Sequence, residues 1–121
     1  MDTNVFTLET VRNKNGTLTA VILLTGRVNT AGFIGTLYFN NGAMNLIDSD
    51  EYDPEGGVFT VVDDQIRFIW SSAYNLNEEI AYLSLTFEVY DGAEPNFSLV
   101  ISELRALDES GTPVWEEYSV R

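Results

Sequence analysis

Apolar and polar residues alternate along most of the chain, and the 3.6-residue spacing of an amphipathic helix is almost absent. The clearest stretch is residues 81–90. Leu83, Leu85, Phe87 and Val89 share one parity, and Tyr82, Ser84, Thr86, Glu88 and Tyr90 the other. Successive side chains of a strand point to opposite faces, so this stretch predicts a half-buried strand of a sandwich, with Tyr82 and Tyr90 outward. Residues 65–71 repeat the pattern, with Ile66, Phe68 and Trp70 opposite Arg67, Ile69 and Ser71. So do residues 32–39, with Phe33, Leu37 and Phe39 opposite Ile34, Thr36 and Tyr38.

Weaker runs lie at 5–11, 18–25, 44–47, 58–62, 97–107 and 114–120. The run Leu18 to Leu24 is apolar on both parities, which predicts a central or covered strand. Within 97–107 the apolar set moves from Leu99 and Ile101 to Leu104 and Ala106, which predicts a β-bulge near Ser102-Glu103. Turn chemistry marks the joints: Asn15-Gly16, Asn41-Gly42, Glu55-Gly56-Gly57, Asp63-Asp64, Asp91-Gly92 and Ser110-Gly111. Residues 73–79 leave room for one helical turn. The pattern predicts a single all-β domain over residues 1–121, a nine-stranded β-sandwich with jelly-roll or Greek-key topology. Phe33, Leu37, Phe68, Trp70, Leu85 and Phe87 are its expected core.

Composition narrows the chemistry. The 121 residues contain no Cys and no His, which excludes disulfides, thiolate and imidazole catalysis, and imidazole metal ligands. Six basic against nineteen acidic residues give a net charge of −13. Such a charge repels phosphate backbones and anionic lipid, so neither nucleic acid nor a membrane surface is the expected partner. No apolar run is long enough to span a bilayer as a helix. The segment Met1-Asp2-Thr3-Asn4 has no leader character, so an exported protein would carry this chain as a module of a longer precursor.

Several segments together resemble the cohesin modules of cellulosome scaffoldins. Val28-Asn29-Thr30-Ala31-Gly32-Phe33, leading into Thr36-Leu37-Tyr38-Phe39-Asn40, resembles the third strand of that family, and Met44-Asn45-Leu46-Ile47 its short fourth strand. Asp64 to Trp70 resembles the sixth strand, Ala81 to Val89 the seventh, and Val100 to Leu104 with Asp108-Glu109-Ser110-Gly111 the eighth and its acidic turn. The chain departs from the family in its trimmed loops. It also has Gly32 and Ile34 where many members carry polar groups.

The resemblance implies a non-catalytic module, extracellular or on the cell surface. It would be monomeric when free and would hold a dockerin-bearing partner, often a polysaccharide-degrading enzyme, on a scaffold. It implies that strands three, five, six and eight form the dockerin-binding face, that calcium belongs to the dockerin, and that this chain needs no cofactor or metal. Alternation agrees on which side chains share that surface: Ile34, Thr36 and Tyr38 with Arg67, Ile69 and Ser71, joined by Val58, Thr60 and Val62. Aliphatic residues and a Tyr edged by an Arg suit a protein interface.

Three other clusters are weaker. Five carboxylates in residues 48–55 could hold calcium, but their spacing is not that of an EF-hand, and a solvated acidic loop is the expectation. Glu78-Glu79 and Glu116-Glu117 are adjacent pairs that a strand would point apart, so glycoside hydrolysis is not expected. Trp70, Tyr74, Tyr82, Tyr90, Trp115 and Tyr118 could stack on sugars, which makes a carbohydrate-binding module the alternative function.

Overall fold

The computed structural model describes residues 4–26, 28–51 and 57–121. In chain order the strands are β1 (Asn4–Arg12), β2 (Thr17–Gly26), β3 (Thr30–Phe39), β4 (Met44–Glu51), β5 (Gly57–Val62), β6 (Gln65–Leu76), β7 (Ile80–Val89), β8 (Phe97–Leu107), β9 (Pro113–Trp115) and β10 (Tyr118–Val120). They form two five-stranded sheets, ordered β10-β1-β2-β7-β4 and β5-β6-β3-β8-β9. β1 runs parallel to β10 and antiparallel to β2, and the hairpin between β1 and β2 turns at Asn15-Gly16. Gly16 sits at φ 85°, a left-handed conformation that glycine adopts without steric cost.

The inward parity of each sheet closes the core. Phe33, Leu37, Phe68, Trp70, Leu85 and Phe87 are all buried, as the alternation predicts. The ring of Phe33 lies 4.9 Å from Tyr82, 5.2 Å from Phe6 and 5.5 Å from Trp70, measured between centroids, and so joins the two sheets. Gly35 shares this inward parity for a steric reason. A Cβ there would stand 2.5 Å from Cζ of Phe68 and 2.9 Å from Cδ1 of Ile101. β2 is the middle strand of its sheet and buries one parity, Leu18, Ala20, Ile22 and Leu24, while Val21 and Leu23 on the other are half-buried.

The bulge expected near Ser102-Glu103 is present. Ile34 faces Glu103 while Gly35 faces Ile101, so Ser102 has no opposite number on β3. The hydroxyl of Tyr118 donates to the Ile101 carbonyl at 2.7 Å beside it.

Four expectations are corrected. The strand expected at 114–120 is two strands, in different sheets: β9 pairs with β8, and β10 pairs with β1. The chain crosses between sheets at Glu116-Glu117, where the Glu116 amide donates to the Leu104 carbonyl and the Asn4 side chain donates to the Glu117 carbonyl. The described residues therefore form ten strands.

The helical turn expected in 73–79 is absent, because β6 continues to Leu76. The Asn75 side chain holds that extension by bonding both backbone polar groups of Leu107, at 2.7 and 2.9 Å.

Tyr82 is buried, not outward. In the β2–β7 ladder Ile22 faces Leu83 and Leu23 faces Ala81, so Tyr82 is the extra residue of a bulge and turns inward. Its hydroxyl donates to the Ile69 carbonyl of the other sheet at 3.0 Å.

The acidic stretch is not simply a loop. Residues 48–51 belong to β4 and pair with β7. Asp53 and Glu55, with the turn expected at Glu55-Gly56, lie outside the described residues. Charged side chains on a sheet's edge strand such as β4 discourage further strand pairing.

Candidate functional site

The outer surface of the β5-β6-β3-β8-β9 sheet is a grid fixed by strand register. One row runs Val58, Ile69, Ile34, Glu103, and the next runs Thr60, Arg67, Thr36, Val100. A third runs Val62, Gln65, Tyr38, Ser98. At the other end Ser71, Gly32, Arg105 and Trp115 make the fourth. Side chains within a row stand about 4.8 Å apart, and rows about 7 Å apart. All nine residues expected from alternation lie on this one surface: Ile34, Thr36, Tyr38, Val58, Thr60, Val62, Arg67, Ile69 and Ser71.

Large apolar side chains are exposed here together. Ile69 is 44% exposed, Val58 58% and Trp115 69%, with Ile34, Tyr38, Val62 and Val100 also accessible. A shallow depression is lined by Ile34, Val58, Thr60, Val62, Arg67 and Ile69, with Phe68 at its floor. A second lies beside it among Glu103, Arg105, Pro113, Val114 and Trp115. Scattered aliphatic residues on a surface need no explanation, but Val58, Ile69 and Ile34 adjoin in one row, and adjoining exposed apolar side chains make this face the candidate site.

Electrostatics set this sheet apart. Its five strands hold one carboxylate, Glu103, of the nineteen in the chain, and two arginines, Arg67 and Arg105. It therefore sums to +1 in a molecule of −13.

Sequence reasoning missed Val100, Ser98, Glu103, Arg105 and Trp115. The signal for Arg105 was present. Past the bulge at Ser102, Glu103 and Arg105 take the outward parity opposite the buried Leu104 and Ala106. Trp115 carried no comparable signal, because β9 is only three residues long.

The other clusters are used elsewhere. Glu79 accepts from the Gly26 amide at 2.9 Å, and Glu116 accepts from the Asn29 side chain at 2.7 Å, so one carboxylate of each adjacent pair anchors backbone or a neighbouring side chain. Among the described residues no group of three or more acidic side chains is placed to hold a metal ion. The six aromatic candidates are not gathered on one face. Trp70 and Tyr82 are core, and the Tyr118 ring packs edge-on against Phe6 at 6.1 Å. Tyr90 follows the last residue of β7, in the opposite sheet from Trp115.

No protein-family model matches the sequence, and no curated protein matches it. The fold does match solved structures. The seventh ScaB type I cohesin of Pseudobacteroides cellulosolvens aligns with a TM-score of 0.79 at 9% identity, over 98% of this chain and 87% of that one. The third ScaC cohesin of Acetivibrio cellulolyticus, solved in complex with the ScaB dockerin, aligns at 0.77 and 9% identity, over 98% and 94%. A non-cellulosomal cohesin of the archaeon Archaeoglobus fulgidus aligns at 0.64 and 9% identity, over 98% and 85%. The chain has the jelly-roll fold of cohesin modules from end to end.

Proposed function

We propose that the chain is a single cohesin-type receptor module. It would be non-catalytic and monomeric when free, and it would hold a dockerin-bearing protein through the outer face of the β5-β6-β3-β8 sheet. The observation that carries this reading is the exposed apolar grid around Ile34, Ile69 and Val58 on a scaffold with the cohesin fold. A rigid sheet presenting an apolar centre and a polar rim can receive a helical partner without rearranging. The module would sit on an extracellular or cell-surface scaffold. Calcium would enter through the dockerin and not through this chain. The archaeal neighbour is non-cellulosomal, so the partner is a dockerin-bearing protein of unassigned cargo.

The test is titration of the purified module against a panel of calcium-loaded dockerins, beside native gels cast with soluble polysaccharides. Saturable binding of at least one dockerin, abolished by chelator because the dockerin unfolds without its metal, is the expected result. Retardation by polysaccharide with no dockerin bound would replace this reading with that of a carbohydrate-binding module.

A further inference from the structure

Arg67 and Arg105 lie at opposite corners of the apolar centre. Arg67 on β6 faces Thr36, and Arg105 on β8 faces Gly32, so the line joining them crosses β3 at Ile34. Four residues along β3 and two strand spacings across it separate the two α-carbons by about 16 Å, on a diagonal tilted roughly 36° from the strands. Neither guanidinium forms an ion pair among the described residues. Arg67 Nε donates to the Gln65 side chain at 3.1 Å, which orients the group and leaves its terminal nitrogens available.

Arg105 lies across Gly32. A Cβ at Gly32 would stand 3.0 Å from Arg105 Nε and 3.5 Å from Nη2, so the missing side chain makes room for the guanidinium over β3. Among the described residues, two cations without an ion pair thus stand one on each side of an aliphatic patch, on strands that hold one acid.

We infer that the partner presents two acidic residues, backbone spacing matched to that of the arginine α-carbons, flanking aliphatic side chains, and that Arg67 and Arg105 receive their carboxylates on either side of Ile34. This rests on the receptor reading above. On an α-helix 16 Å corresponds to about eleven residues, and positions i, i+4, i+7 and i+11 share one face. A helix meets this α-carbon spacing with Asp or Glu at i and i+11 and aliphatic residues at i+4 and i+7, and that is the element tested. Arginine suits the role because its planar fork binds carboxylate bidentately. Phosphate-rich partners are disfavoured by the acidic remainder of the molecule.

The test uses the ScaB dockerin of Acetivibrio cellulolyticus as a calcium-loaded display scaffold, randomised at four such positions of an exposed helix. Selection is run against the native module and against the double variant Arg67→Glu, Arg105→Glu, with thermal melts to show that the variant is folded. The native module should enrich Asp and Glu at the outer pair and aliphatics at the inner pair. The double variant should enrich Lys and Arg at the outer pair. Winners from the native module should lose at least about tenfold in affinity for each arginine reversed, and should weaken with salt. Winners without acidic enrichment, bound equally by both forms, would overturn the charge inference and leave the receptor reading standing. Recovery of no dockerin winner against either form would overturn both. Capture of a sulfated polysaccharide by the native module in place of any dockerin, lost in the double variant, would reassign the arginines to another ligand.

Discussion

At Gly35 a single methyl group matters. Its α-carbon faces the ring of Phe68, and a Cβ would meet Cζ at 2.5 Å, well inside contact distance. The ring is packed against Phe33 and Tyr82, with centroids 6.2 and 5.7 Å away, and cannot swing clear. Gly35→Ala should therefore destabilise the module by about 1–3 kcal/mol, read from denaturant melts. Asp108 is a different kind of single-residue device. Its Oδ1 accepts from the Ser110 hydroxyl at 2.7 Å and from the amides of Ser110 and Thr112 at 2.9 Å, which closes the turn into β9. The Ser110 hydroxyl first, then the Thr112 amide, hold the Asp108 carboxyl below the usual aspartate range. A group lowered in the folded state stabilises it above its unfolded pKa, about 3.9, and loses that contribution as pH falls through the folded value. The gap in melting temperature between the native chain and Asp108→Asn should be full near neutral pH and close progressively below about pH 4.

At the scale of elements, Phe87 reports whether β7 is placed correctly. Its ring packs on Phe39 and Phe97, with centroids 5.2 and 5.4 Å away, at the end of the core remote from Tyr82. Phe87→Ala should cost about 3–5 kcal/mol, and a melt of native strength would refute the inward parity of this strand. The same strand shows what the sequence could and could not reveal. Leu83, Leu85 and Phe87 alternate plainly, so their burial was legible. Tyr82 was not, because a tyrosine reads equally well as an outward polar residue or as an inward one whose hydroxyl finds a partner. Only the bulge opposite Ile22 and Leu23 decides it. The bulge in β8 was legible because the apolar parity changes within one strand, at Ser102. The division of 114–120 was not, since β9 and β10 are three residues each and too short for alternation to register. The candidate face was legible at β3, β5 and β6, and hidden at β8 and β9 for these same reasons.

At the scale of the whole molecule the charge is unevenly placed. Five acids, Glu9, Asp48, Asp50, Glu51 and Glu88, and one base, Arg12, lie on strands of the β10-β1-β2-β7-β4 sheet, whereas the opposite sheet carries two arginines and one glutamate. The acidic side resists self-association and strand pairing, and the other presents an apolar centre with cationic corners. The account predicts that a partner approaches from one side only. Ile69, 44% exposed at the centre of that side, and Ile47, 53% exposed on the edge strand β4 of the other sheet, are matched probes. Calorimetric titration of a bound dockerin against Ile69→Asp and Ile47→Asp, with melts of both variants, is the most direct measurement. Ile69→Asp should remain folded, within about 0.5 kcal/mol of native stability, and weaken binding by at least about 2 kcal/mol. Ile47→Asp should bind as the native chain does. Unchanged binding by Ile69→Asp, or an equal loss in Ile47→Asp, would contradict the account.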